Sequence, residues 1–114
     1  NRALFFIPVD MTAASTFSFK TKDGYYNGAV LKVYYTTSYT PGTALSDNVL
    51  VDITNQFTIS KDNTNGYAPT FINSGNYNIP ANVTGNGFFI FEYSGTNIAP
   101  AKTTTIQIDD IVIN

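Results

Sequence analysis

The chain has 114 residues, of which 12% are charged, and it carries a formal net charge of −2 with no cysteine and no histidine. This composition excludes disulfides, zinc–thiolate centres, thiol nucleophiles and Ser/His/Asp triads, and it provides no electrostatic attraction to nucleic acid. The length is typical of one domain, residues 1–114, and no apolar run approaches the ~20 residues that a membrane-spanning helix needs.

The first half of the chain contains three predicted strands. Residues 3–9 form an apolar run with a proline near its end, as at the edge of a sheet. Residues 16–22 alternate bulky and polar side chains with a period of two, which is typical of a half-buried strand. The turn residues of "DGYYNG", 23–28, then predict a hairpin to the third strand, 29–38. In that strand we expect three residues to face inward, Leu31, Val33 and Tyr35, and three outward, Lys32, Tyr34 and Thr36.

Long polar loops at 39–48 and 60–69 separate the second half into further strands. These predicted strands occupy 49–59 with a break near Thr54, two short segments within 70–80, residues 85–95 and residues 103–113. No segment has a sustained 3.6-residue period with capping signals, so we expect little or no helix. Seven or eight strands joined by long turns predict an all-β, antiparallel β-sandwich.

The last strand contains an acidic pair inside an apolar pattern. Ile106 and Ile108 alternate with polar residues, and the phase of the alternation changes at Asp109-Asp110. One extra residue in a strand changes the phase in this way, so a β-bulge is one explanation. The other is a structural Ca²⁺ site, since Ca²⁺ binds carboxylate oxygens and Asp10 could add a third carboxylate to Asp109 and Asp110. The sequence does not decide between the β-bulge and the Ca²⁺ site.

Several aromatic residues lie in predicted loops and turns. The candidate ligand-binding residues are Tyr25, Tyr26, Asn27, Tyr39 and Tyr67. Aromatic rings can stack on the C–H faces of sugars, and neighbouring Asn, Asp and Thr side chains can bind the hydroxyl groups. Alternatively, these tyrosines fold back over the ends of the sandwich and leave only their hydroxyls in water.

An enzymatic function is not expected. Glycoside hydrolysis requires two carboxylates about 5–10 Å apart, and Glu92 is the only glutamate in the chain. The alternation of residues 85–95 places Glu92 opposite Phe89 and Phe91, so we expect it on the solvent face.

Seven segments in chain order carry a resemblance to a known family. They are Pro8-Val9-Asp10, Phe17–Phe19, Leu31–Tyr39, Val51–Thr54, Ser74-Gly75 with Ile79-Pro80, Phe89–Gly95 and Ile108–Ile111. Their order resembles a jelly-roll domain of surface and secreted Bacteroidetes proteins, which includes the choice-of-anchor J domains and related domains of unknown function. In that family a "levyyStdY.G" strand matches "LKVYYTTSYTPG" here.

The resemblance implies a jelly-roll β-sandwich that acts as a non-catalytic accessory domain outside the cell or at the bacterial outer membrane. The chain is then expected to be the mature or C-terminal part of a longer secreted precursor. The function that we expect is carbohydrate binding, with a polysaccharide or oligosaccharide as partner. The alternative is a structural spacer or protein-interaction domain of a surface lipoprotein, which binds other surface proteins through a sheet edge.

Overall fold

A computed structural model describes residues 2–97 and 99–114. These residues form eight strands: β1 (Arg2–Asp10), β2 (Thr16–Gly24), β3 (Leu31–Thr36), β4 (Val51–Asp52), β5 (Ile72–Asn73), β6 (Tyr77–Asn78), β7 (Asn86–Ser94) and β8 (Thr105–Ile113). The helical segments in this part of the chain are two single 3-10 turns, Asp47–Val49 and Thr54–Gln56. The all-β prediction is therefore confirmed, and no helix among the described residues is long and apolar enough to cross a membrane.

The strands form two antiparallel sheets. In the first sheet the order is β1-β7-β3-β4. In the second sheet β2 is central, with β8 along one edge and the short strands β5 and β6 along the other. Both edges of β2 are thus occupied by strands that are distant in sequence.

The predicted hairpin between residues 16–22 and 29–38 is wrong. β2 and β3 lie in different sheets, and residues 25–30 cross from one sheet to the other. Because β8 pairs with β2 from Phe17 to Gly24, the edge that a hairpin partner would need is already taken. The predicted strand at 49–59 is also shorter than expected, since only Val51–Asp52 pairs with β3 before a 3-10 turn begins.

Aromatic side chains from both sheets meet in the core. Phe17 of β2 stacks on Phe89 of β7 with ring centroids 3.9 Å apart, and Phe19 meets Phe91 edge to face at 4.9 Å. All four residues are buried. Each buried side chain of this size contributes about 1.5–3 kcal/mol, so the alternation seen in the sequence identifies the core correctly.

The outer face of the first sheet is partly covered, which the sequence did not predict. Thr36 and Glu92, both expected in solvent, are 1% and 6% exposed, and Ile90 between them is fully buried. Residues 37–50 contribute to this cover, because Tyr39 stacks on Phe6 of β1 at 5.2 Å. The solvent-face prediction fails for Thr36 and Glu92, because the loop that follows β3 packs on part of this face, whereas Lys32 is exposed as expected.

The β-bulge in β8 is confirmed. Ser18 pairs with Val112 and Lys20 pairs with Asp109, so Phe19 alone lies opposite two residues of β8. Asp110, one of those two, has a left-handed backbone with φ of 50°. The extra residue returns the apolar alternation to the interior side, and Ile111 consequently lies on the same side of the sheet as Ile106 and Ile108.

Candidate functional site

Two predicted ligand residues come together at the end of β2. Tyr25 and Tyr67 are 58% and 52% exposed, and their rings lie edge to face with centroids 5.5 Å apart. We call this pair the tyrosine platform. Two large exposed rings in mutual contact form a rigid amphipathic surface, which is a common feature of binding sites.

Backbone contacts fix the platform in place. The Tyr25 N–H donates to the Gly66 carbonyl at 3.0 Å, and the Tyr26 N–H donates to the Asn63 carbonyl at 2.9 Å. The Tyr67 ring lies against Gly24, where a Cβ atom would fall 2.3 Å from the ring carbon Cδ1. Glycine at this position therefore allows one side of the ring to rest directly on the backbone.

Tyr25 itself has a left-handed backbone, with φ of 49°. This conformation costs roughly 1–2 kcal/mol for a residue with a Cβ. Backbone outliers of this kind often mark functional sites, where the surrounding contacts hold them in place.

A buried carboxylate lies beneath the platform. Asp23 is fully buried and its Oδ1 accepts hydrogen bonds from the Ser60 hydroxyl at 2.5 Å and the Asn63 side-chain amide at 2.6 Å. Its Oδ2 accepts the Asn63 N–H at 3.0 Å, and its carbonyl accepts the Ala68 N–H at 2.8 Å. Asp23 thus ties the end of β2 to the loop that carries Tyr67.

The hydrogen bonds also set the charge of Asp23. Burial acts to raise the pKa of this carboxyl, but the donors on Ser60 and Asn63 outweigh burial and hold the pKa below its ordinary value of 3.8. Sequence reasoning missed this role because the "DG" pair was read only as a turn signal. The available clue was the period-two alternation, which places Asp23 on the same face as Phe17 and Phe19.

Tyr26 and Asn27 follow Tyr25, and both contact other segments of the fold. Tyr26 is half-buried beside a small cavity of about 130 Å³. The Asn27 side chain donates to the Thr103 hydroxyl at 2.9 Å and accepts the Thr103 N–H at 2.7 Å. Its N–H donates to the Thr104 hydroxyl at 2.9 Å. Asn27 therefore joins the β2–β3 connection to the segment before β8. These bonds use the side-chain amide groups that a ligand would need.

Tyr39 is not part of the platform. It packs on the outer face of the first sheet, stacked on Phe6 at 5.2 Å and edge to face with Phe88 at 5.7 Å. Its hydroxyl donates to the Thr43 carbonyl at 3.3 Å. This position is beside the end of β3, whereas Tyr25 precedes the start of β3, so the two tyrosines belong to different surfaces.

The three candidate calcium ligands are not brought together. Asp10 ends β1 in the first sheet and accepts the Thr12 N–H at 3.0 Å. Asp109 accepts the Asp110 N–H at 2.8 Å, and Asp110 pairs with Lys20, all in the second sheet. Within residues 2–97 and 99–114, no three His, Cys, Asp or Glu side chains form a group that could hold a metal ion. A Ca²⁺ site at Asp109-Asp110 alone stays a prediction.

Glu92 lies at the centre of a small polar cluster on the covered face. Its Oε2 accepts from the Arg2 Nε at 2.5 Å, and its Oε1 accepts the Tyr34 hydroxyl at 3.2 Å. Burial raises the pKa of Tyr34 to about 12, and the nearby negative charge of Glu92 is the second cause. Arg2 Nη2 also lies 3.7 Å from Asp47 Oδ1, so the cluster links β1 to the loop over this face.

An apolar cleft with a volume of about 600 Å³ lies between the two sheets. It opens between β1, the edge strand of the first sheet, and β8, the edge strand of the second. The side chains from these two strands that face it include Ala3, Phe5, Ile7, Ile106, Ile108 and Ile111. Phe5 and Ile111 are 59% and 44% exposed although they point towards the interior.

Comparison with protein-family models, with curated proteins and with solved structures finds no match for this chain. The resemblance to the Bacteroidetes jelly-roll domains therefore stays a prediction.

Proposed function

We propose that this chain is a non-catalytic carbohydrate-binding module, and that the tyrosine platform is its binding site. The observation that carries the proposal is the contact between the Tyr25 and Tyr67 rings, each more than half exposed and only 5.5 Å apart. A tyrosine that merely covered the end of the sandwich would bury its ring and leave the hydroxyl in water. Here large parts of both residues remain open to a ligand.

Preorganisation supports this assignment. The backbone on both sides of the platform is hydrogen-bonded, through Tyr25 to Gly66 and through Ala68 to Asp23. Fixing a surface before binding lowers the entropy that binding must remove, which favours weak ligands such as sugars. The left-handed backbone of Tyr25 is held by the same contacts.

Polar groups for sugar hydroxyls lie in the same loop. Asp62, Thr64 and Asn65 are exposed and precede Tyr67 by two to five residues. Sugar recognition needs an aromatic surface with a few polar groups at its border, and this loop supplies both.

The proposal extends to the setting of the protein. We place the chain outside the cell or at a bacterial surface, as a jelly-roll domain of the kind the sequence resembles. Eight antiparallel strands in two sheets and a surface rich in uncharged polar residues support this setting.

A glycan array that includes plant and host polysaccharides tests the proposal. We expect the wild-type chain to bind a subset of glycans, and the double variant Tyr25→Ala/Tyr67→Ala to lose that binding. The matched control is Phe5→Ala, which removes a ring of similar exposure at a different place. An array without any bound glycan, or binding retained by the double variant, would overturn the proposal.

A further inference from the structure

The cleft between β1 and β8 lacks a covering strand. β1 and β7 are neighbours in the first sheet, and their inward side chains face the second sheet. Phe91 of β7 is covered by β2 and is 2% exposed, whereas Phe5, its partner in β1, is 59% exposed. The second sheet ends at β8, so no further described strand closes the open side of the cleft.

The outer edge of β8 presents free backbone groups at this cleft. The backbone N–H and C=O groups of Thr16 both bond to Asn114, just after β8. Because the bonding direction alternates along a strand, the other even-numbered residues of β2 also point their N–H and C=O groups towards β8. Thr105, Gln107 and Asp109 pair with such residues. Backbone direction alternates along a strand, and Ile106 and Ile108 therefore point their N–H and C=O groups outward. Within residues 2–97 and 99–114, no strand pairs with this edge.

The outer edge of β1 is less suited to pairing. The Met11 N–H donates to the Gly85 carbonyl and continues the β1–β7 register, so the odd-numbered residues of β1 bond to β7. Pro8, an even-numbered residue, lies on the free edge, where it has no N–H to donate. Proline on an edge strand blocks the addition of a further strand.

We propose that the cleft accepts an extended strand of another polypeptide, which adds to the free edge of β8 and closes the open side of the cleft beside β1. Its backbone pairs with Ile106 and Ile108, and its alternate side chains enter the cleft beside Phe5 and Ile111. Three features identify the occupant as a peptide strand. The first is the hydrogen-bonding edge, which a lipid or small apolar molecule cannot satisfy. The second is continuity with the β2–β8 pairing, which the new strand extends.

The third feature is charge. None of the described side chains that line the cleft is charged, so the inward side chains of the occupant are apolar and uncharged. This inference is independent of carbohydrate binding, because the cleft and the tyrosine platform share no residue.

Binding of synthetic peptides tests the proposal. The probe is a library of nine-residue peptides with Ile, Val, Leu or Phe at alternate positions and Thr or Ser between them, measured by fluorescence anisotropy. We expect the best peptide to bind wild type and to lose at least about tenfold in affinity with Ile111→Asp, because the new carboxylate would be buried without a partner. The matched control is Val112→Asp, the neighbouring residue, which is 41% exposed and outside the cleft lining. Its affinity should stay within about twofold of wild type, which corresponds to about 0.4 kcal/mol.

A second measurement uses only the wild-type protein and does not depend on the folding of a variant. On peptide binding, the amides of Ile106 and Ile108 should gain protection from hydrogen exchange. Peptides N-methylated at the positions that face β8 should lose binding, because methylation removes the backbone donors.

Three results would overturn the inference. One is that no alternating peptide binds better than its scrambled sequence. Another is a dimer in light scattering that protects Ile106 and Ile108 without peptide, which would assign the edge to a second copy of this chain. The third is binding of palmitate that depends on Ile111 in the absence of peptide binding, which would assign the cleft to an apolar small molecule.

Discussion

Asp110 pairs with Lys20 across the second sheet, with Oδ2 and Nζ 3.2 Å apart. Both side chains are more than two-fifths exposed, and ion pairs of this kind contribute about 0–1 kcal/mol. The backbone of Asp110 restricts which residues this position can hold, because its φ of 50° is left-handed at the bulge. The structural role of Asp110 is therefore to form the bulge that returns Ile111 to the interior side.

Substitution of Asp110 should separate charge from backbone conformation. Asp110→Gly removes the ion pair but suits the left-handed backbone, so the free energy of unfolding should change by less than about 1 kcal/mol. Asp110→Val removes the same ion pair and should lower the free energy of unfolding by about 1–2 kcal/mol more, since a β-branched residue resists this conformation. Urea denaturation of both variants measures the difference, and equal effects would show that the ion pair dominates.

The burial of the inward phenylalanines differs along the sandwich. Phe17→Ala should cost about 3–5 kcal/mol, because Phe17 is fully buried and stacked on Phe89. Phe5→Ala should cost less than about 1.5 kcal/mol, since more than half of Phe5 is already in water. Thermal and urea unfolding measure both values. A similar cost for the two substitutions would mean that something covers Phe5 in solution.

Asp23 should make the protein sensitive to acid. The pKa of its carboxyl is lowered in the folded state from 3.8, so its contribution to stability is complete above about pH 4 and is lost as the pH falls through the lower folded value. The Asp23→Asn variant should be less stable than wild type at neutral pH and should lose less stability between pH 4 and pH 2. Ser60→Ala, which removes one donor to Asp23, should give an intermediate slope. A wild-type slope in Asp23→Asn would refute the assignment.

Tyr34 should respond to alkali in the opposite sense. Its pKa is raised from 10.0 to about 12, so the neutral hydroxyl stabilises the fold below pH 10 and this contribution is lost as the pH rises from about 10 to about 12. Ultraviolet titration of tyrosinate should show a late component that is smaller in Tyr34→Phe, where Tyr77, whose pKa burial also raises, still contributes. Unfolding of Tyr34→Phe above pH 10 should also depend less on pH than unfolding of wild type. An unchanged late component in Tyr34→Phe would assign it to another tyrosine.

Local patterns in the sequence predicted the strands and the core because period-two alternation is set by neighbouring residues. Phe17 and Phe19 are inward as expected, and the phase change at Asp109-Asp110 is the bulge that it suggested. Strand pairing was less accessible, since nothing local in residues 23–28 shows that β8 occupies the edge of β2.

The candidate site was predicted in part for the same reason. The exposure of Tyr25 and Tyr67 follows from their place in polar loops, but their contact depends on how residues 60–69 fold onto β2. Glu92 was placed wrongly because the outer face of the first sheet is partly covered, by the loop in which Tyr39 packs on Phe6. The anchoring role of Asp23 likewise depends on Ser60 and Asn63, which are 37 and 40 residues away in the sequence.

The most direct test of the tyrosine platform is a calorimetric titration with the oligosaccharide that binds best on the array. Tyr67→Phe keeps the ring and should stay within about threefold of wild-type affinity, whereas Tyr67→Ala should lose about tenfold or more, which corresponds to about 1.4 kcal/mol. Tyr39→Ala, which removes a tyrosine from another surface, should leave the affinity unchanged. Equal affinity of Tyr67→Ala and wild type, or an equal loss in Tyr39→Ala, would contradict the account.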